Sequence, residues 1–304
     1  MTSGRVKEAS GHADELLGLA QRLGANDLLL EGHHAKWSAA LWCGRLTAAD
    51  EHSRQGISRY DCTHHHALAF TFSGHDPGVC AHGVRAISMA LLGFPERAIK
   101  LGADAVGLAR SLSHPYSLAL AMWHSAIVLQ LCRQKQSCLD LATELLNVAQ
   151  EQAFPMMQGV GMFFFGWAIA DGGEIGRGIA SMEQGLAVFS EGRRVTKPYM
   201  LAVLASAKAD LGKTSEGLEL LKDALASTEE SGESWWVAEL HHLRGRLLLS
   251  REQHAESESC FRWAMEVSGG QRARLLELRA SMSLARLWRD QGKVLQAREL
   301  LAPV

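Results

Sequence analysis

The sequence predicts an all-α fold, a superhelical solenoid of about seven helix hairpins stacked side by side. Two observations carry this. One turn residue recurs along the chain, at Gly44, Gly93, Arg133, Gly173, Gly212, Glu252 and Gly292, with intervals of 39 or 40 residues after a first interval of 49. Small residues also hold two fixed places around those turns. Five residues after each turn come Ala49, Ala98, Cys138, Gly178, Gly217, Ser257 and Ala297. Seven residues before come Ala86, Ala126, Gly166, Ala205, Gly245 and Ala285, with Trp37 the one departure. A period of 20–50 residues marks a stack of supersecondary units. Small side chains at two fixed places let the two helices of each unit approach closely.

The helical reading comes from apolar spacing. Leu141, Leu145, Leu146 and Ala149 form one stripe, and Leu278, Met282, Ala285 and Trp288 another, both with helical rather than alternating period. Taken in order, residues from about Val6 to Leu23 read as a leading helix without a partner. The hairpin units then occupy about 28–60, 77–111, 115–153, 155–191, 197–231, 234–268 and 272–304. In the third and fourth units, Pro115 and Pro155 open the first helix. Proline costs little there, because the first amides of a helix have no intrahelical partner. A turn glycine supplies the left-handed conformation that ends a helix. The long first interval places an insertion at 61–76, read as a linker with a short helical or irregular segment. The last helix starts near Val294 and stops before its apolar face is complete. A terminal repeat ordinarily carries a polar capping face, so the chain is expected to be one repeat domain of a larger protein.

Composition narrows the function. The chain is 47% hydrophobic and 21% charged with a net charge of −2, and its acids and bases are interspersed. Nucleic-acid binding would call for a basic stripe; the densest cluster, Arg193, Arg194 and Lys197, reads as a solvated turn. No apolar run is long enough to span a bilayer, no signal peptide is evident, and none of the six cysteines forms a C-x-x-C pair. A cytoplasmic protein with buried, reduced thiols is expected, without a nucleic-acid or membrane partner.

Candidate chemistry is sparse. Leu211-Gly212-Lys213-Thr214 ends like a phosphate-binding loop, but Ala207 stands where that motif needs glycine, inside a helical segment. His64, His65, His66, His75 and His82 crowd the insertion, and imidazole is a good metal ligand. Consecutive histidines on a helix point apart, however, and Asp76 is the one acid inside the window. They are read as packing or solvated side chains, with no metal or cofactor. His33-His34 and His241-His242 sit at matching places in their first helices, so one of each pair should face inward. No nucleophile–base constellation is visible, and Glu229-Glu230 and Glu256/Glu258 read as solvent-facing charges.

The two small columns, with Leu284-Ala285 and Trp288 before Gly292 and Ala297, resemble the tetratricopeptide repeat. Phe261 and Ala264 after Ser257 also match it, and the likeness extends over roughly Leu28 to Val304. The period of about 40 instead of 34 points to the longer-helix variety of that repeat. His66-Ala-Leu-Ala-Phe, Gly74-His-Asp-Pro-Gly-Val79, Leu92-Gly-Phe-Pro95 and Ala280-Ser-Met-Ser-Leu-Ala-Arg-Leu-Trp288 are similar to the C-terminal repeat region of large bacterial signalling ATPases, many with an adenylate/guanylate cyclase-like domain. That resemblance implies a right-handed superhelix acting as a sensor or docking arm. It carries no catalytic activity onto these residues.

In such a stack the first helices face the concave side. Positions thirteen, ten, six and three before each turn then point into the groove. These include Leu120, Trp123, Ile127 and Gln130; Val160, Phe163, Trp167 and Ala170; Glu239, His242, Arg246 and Leu249; and Arg279, Met282, Arg286 and Arg289. The expected function is a non-catalytic module that binds a peptide, a protein segment or another domain of its parent. Trp123, Phe163 and Trp167 would serve as aromatic anchors, and His242, Arg246, Arg286 and Arg289 would form a polar, basic end. The alternatives are that those aromatics are core residues of a tightly wound superhelix, that the groove senses a metabolite, or that the histidine-rich insertion serves a metal-dependent enzyme.

Overall fold

All seven turn residues take a positive φ, from 57° at Arg133 to 109° at Gly173. Arg133 and Glu252 adopt this conformation in spite of their side chains, which is why glycine fills the other five turns. The computed structural model describes residues 5–190 and 195–302; Arg193 and Arg194 lie outside them. A leading helix α1 (Val6–Leu23) is followed by the hairpin α2 (Asn26–Trp42) and α3 (Leu46–Arg59). The insertion holds one turn of helix, α4 (Cys62–His65), and a π-helical turn at Ala69–Ser73. Six hairpins follow: α5 (Pro77–Leu91) with α6 (Pro95–Leu112), α7 (Pro115–Leu131) with α8 (Lys135–Glu151), α9 (Pro155–Asp171) with α10 (Ile175–Ser190), α11 (Lys197–Asp210) with α12 (Thr214–Ser231), α13 (Val237–Leu249) with α14 (His254–Gln271), and α15 (Arg274–Asp290) with α16 (Val294–Leu301). Pro77, Pro95, Pro115, Pro155 and Pro198 all stand in the first two positions of their helices. No strand occurs among the described residues, and no helix is long and apolar enough to cross a membrane.

The two small columns meet within each hairpin. Cys138 Sγ lies 4.0 Å from the Ala126 carbonyl oxygen, and Ser257 Oγ donates to the Gly245 carbonyl at 2.8 Å. A Cβ on Gly166 would lie 2.6 Å from the Gly178 carbonyl oxygen, and one on Gly217 would lie 2.9 Å from that of Ala205. The backbones therefore approach more closely than side chains would allow. Trp37, which breaks the column, is accommodated elsewhere: Gly56 of α3 offers its bare Cα to the indole ring.

The helices of a hairpin are not equivalent. The second helices are amphipathic; α8 buries only Cys138, Ala142, Leu145 and Ala149, every third or fourth residue. The first helices α7 and α9 are apolar almost all round and buried on nearly every side. The cause is closure of the superhelix. The Ser234 N–H, between α12 and α13, donates to the Trp42 carbonyl at the end of α2 (2.8 Å). The Trp42 and Trp235 rings meet edge to face at 5.6 Å. Further round, Arg279 Nη2 of α15 donates to the Leu131 carbonyl at the end of α7 (3.0 Å), and Tyr199 Oη of α11 donates to Gln130 Oε1 (2.9 Å). The last units thus touch the first three across the axis.

The close approach in the fourth hairpin can be measured. Gly166→Ala should lower stability by about 1–3 kcal/mol, because its methyl would press first on the Gly178 carbonyl and the Met182 amide, both backbone. Gly107→Ala, on an exposed stretch of α6 with nothing within 4 Å of its would-be Cβ, should raise stability by about 0.5–1 kcal/mol through helix propensity. Urea midpoints of the two variants check the contrast.

Candidate functional site

Two clefts among the described residues are bordered by groove-facing first helices. The central one, about 90 Å³, is lined by Gln130 of α7, Trp167 and Ala170 of α9, Glu239 and Arg246 of α13 and Arg279 of α15. All six stand at the three-, six- or thirteen-before positions named from the sequence, so the register rule identifies this wall. Three expected anchors are placed otherwise. Trp123 (2% exposed) packs edge to face on Phe189 at 5.8 Å, Phe163 (0%) is enclosed, and His242 (5%) is held by Ser283 Oγ at 2.9 Å from its Nε2. Trp123 packs against the second helix α10 instead of facing the groove, and Trp123 and Phe163 are core. Trp167 is also largely buried, at 5%, but shows an edge to the cleft. Arg286 and Arg289 are exposed and border a separate cleft on α15 and α16, away from Trp167 and Arg246.

The charges of the central cleft are mostly matched. Arg133 Nη1 meets Asp171 Oδ1 at 3.0 Å, and Arg279 Nη1 meets Glu239 Oε1 at 3.1 Å. Arg246 and Asp210 are left without an ion pair to the described residues. Glu239 is buried, and burial works against its charge. Arg279 and, at 3.4 Å, His242 outweigh that burial and hold the carboxyl down at about 2.

The second cleft, about 550 Å³, lies nearer the amino terminus and is bordered by Glu31, His34, His75, Cys80 and Trp42. Glu31 and His34 are one turn apart on α2, and His34 Nδ1 lies 3.0 Å from Glu31 Oε2. His34 stacks on Trp37 with centroids 4.9 Å apart, which fixes its ring plane. Its Nε2 faces His75 Nε2 of the insertion at 3.1 Å. Cys80, on the first turns of α5, completes a group whose ligand atoms all lie within 4.8 Å of one another. Burial opposes charge on the imidazole, but Cys80 and Glu31 hold the His34 pKa up at about 10; His34 and His75 hold the Cys80 thiol well below its ordinary range against the same burial. The spacing of these residues gave no signal in the sequence, where Cys80 reads as an inert thiol on an apolar helix face.

The other insertion histidines have structural partners. His66 Nδ1 meets Asp76 Oδ2 at 3.0 Å, and Asp76 also accepts from Tyr60 Oη and caps α5 through the Val79 N–H. Exposed His64 and buried His65 gather round half-buried Asp27. Of the paired histidines, His34 borders the cleft while His33 turns to His52; His242 points inward while His241 packs on Trp263.

No family model matches the chain. An uncharacterized protein of Rhizobium meliloti is 23% identical over 275 residues, 90% of this chain but 27% of that protein, so the chain spans about a quarter of its relative's length. Among solved structures, a Rap protein complexed with competence and sporulation factor superposes with a TM-score of 0.60 at 12% identity, covering 95% of this chain and 81% of that one. A signal transduction ATPase with numerous domains and a tetratricopeptide repeat sensor, from Pyrococcus horikoshii, gives 0.54 at 10% identity, covering 97% and 45%. PlcR of Bacillus thuringiensis, in complex with the peptide PapR7 and DNA, gives 0.52 at 15%, covering 66% and 74%.

The fold is that of a tetratricopeptide-like helical repeat. The tetratricopeptide-like stack buries Glu239 where its charge supports the fold, and this has a pH signature. Its folded pKa lies below the ordinary 4.5, so the stabilisation is complete above about pH 5 and is lost as pH falls toward 2. Glu239→Gln should therefore unfold more easily than the unsubstituted protein at pH 7, by about 3 kcal/mol. The difference should shrink steadily between pH 5 and 2, as read from urea titrations across that range.

Proposed function

We propose that the chain is a non-catalytic interaction module whose closed interior binds a peptide or protein segment, including a segment of a larger parent protein. The observation that carries this is the central cleft. First helices from units three, four, six and seven present their groove-facing residues there, and Arg246 stands among them, within the field of Glu239 but without an ion pair to the described residues. A cleft of about 90 Å³ is far below the 300–1,000 Å³ of small-molecule sites. It suits one side chain of a longer ligand, and a carboxylate on Arg246 would gain a charge-assisted bond. The Rap structure complexed with competence and sporulation factor and the PlcR structure in complex with the peptide PapR7 and DNA support the reading by analogy. The Rhizobium relative's greater length and the Pyrococcus ATPase support a role as the sensor or regulatory arm of a larger signalling ATPase or cyclase-like protein.

One observation favours a second reading. The amino-terminal cleft, at about 550 Å³, falls within the small-molecule range, so a metabolite could be sensed there.

A peptide library varied in charge separates these readings. The best binder should carry a carboxylate. By fluorescence anisotropy, Arg246→Glu should weaken it at least tenfold, about 1.4 kcal/mol, and Arg286→Glu should weaken it less. Unchanged affinity in Arg246→Glu would remove the central cleft from the site.

A further inference from the structure

The amino-terminal cleft has a wall that peptide binding does not explain. We propose that His34 Nε2, His75 Nε2 and Cys80 Sγ bind a divalent transition-metal ion, Zn²⁺ by preference, with a fourth coordination position open to the cleft. Three separate elements supply the ligands: α2, the end of the insertion and α5. Their donor atoms converge within 4.8 Å. Two nitrogens bound to one tetrahedral Zn²⁺ at about 2.0–2.1 Å stand roughly 3.3 Å apart, and the two Nε2 atoms here are 3.1 Å apart.

Placement of Glu31 supports the same reading. Its Oε2 lies 3.0 Å from His34 Nδ1, so Nδ1 keeps its proton, and an incoming metal ion displaces the proton on Nε2 and takes its lone pair. A carboxylate behind a ligating histidine is the usual way such a ring is oriented and made more basic. Glu31 Oε1 is buried and has no hydrogen-bond partner among the described residues, a costly arrangement for a carboxylate alone. A divalent cation would balance the Glu31 carboxylate and the Cys80 thiolate together. Thiolate with imidazole selects Zn²⁺, Co²⁺ or copper over the oxygen-seeking Mg²⁺ and Ca²⁺. All three ligands border the cleft, so the fourth position can take water or one donor atom of whatever enters.

The second group, of Asp27, exposed His64 and buried His65, provides an internal control. Untagged protein is stripped with a chelator, then titrated with Zn²⁺ against a chromophoric competitor and separately with Co²⁺. One equivalent should bind, and the cobalt form should show a thiolate-to-metal charge-transfer band. That band reports thiolate ligation, and its loss in Cys80→Ser with its retention in Cys62→Ser assigns it to Cys80. Cys80→Ser and His75→Ala should abolish tight binding. Glu31→Gln should weaken it roughly 10–100-fold, and the paired change His64→Ala with Asp27→Asn should leave it intact. Substoichiometric binding, no charge-transfer band, or loss of binding only in the Asp27/His64 variant would overturn the proposal.

Discussion

The close approach of two backbones inside each hairpin is the constraint on which the rest depends. At Gly166 and Gly178, Ala205 and Gly217, and Gly245 and Ser257, a small residue seven before a turn meets one five after it. This spacing admits no larger side chain in the fourth hairpin. Repeated along the chain, it gives each unit nearly the same shape, and identical units stacked at a constant angle must wind. The first hairpin obeys the same constraint by a different route, since Gly56 yields the space that Trp37 takes.

Winding has a consequence beyond architecture. The stack turns far enough for Ser234 to bond Trp42 and for Arg279 to bond the carbonyl of Leu131. The inner helices are then covered on both faces, which accounts for the nearly uniform apolar character of α7 and α9. Trp123, by contrast, is buried against the second helix α10, while Trp167 of α9 retains an edge on the cleft.

The sequence was most legible where physics is local and periodic. The seven turns, the small columns and the inward register follow from spacing along one or two helices, and that register located Gln130, Trp167, Glu239, Arg246 and Arg279 on one wall. What it could not show was how far the superhelix closes, because the angle between units is set by packing over many residues. The same limit hid the amino-terminal cluster. Glu31 and His34 are a recognisable helical pair, but His75 and Cys80 reach them only through the fold of the insertion. Its π-helical turn at Ala69–Ser73 and the capping of α5 by Asp76 have no repeat pattern to announce them. The histidine-rich segment drew attention for its density, yet only one of its members borders the cleft group, and the partners lie on neighbouring elements.

The proposed binding surface is the inner wall of the superhelix, with the outer helices as scaffold. Hydrogen–deuterium exchange along the chain, with and without the tightest library peptide, tests this directly. Added protection should fall on α9, α13 and α15 and on the ends of α7 and α11, with α8, α10 and α12 unchanged. Protection confined to the outer helices, or to α15 and α16 alone, would contradict it.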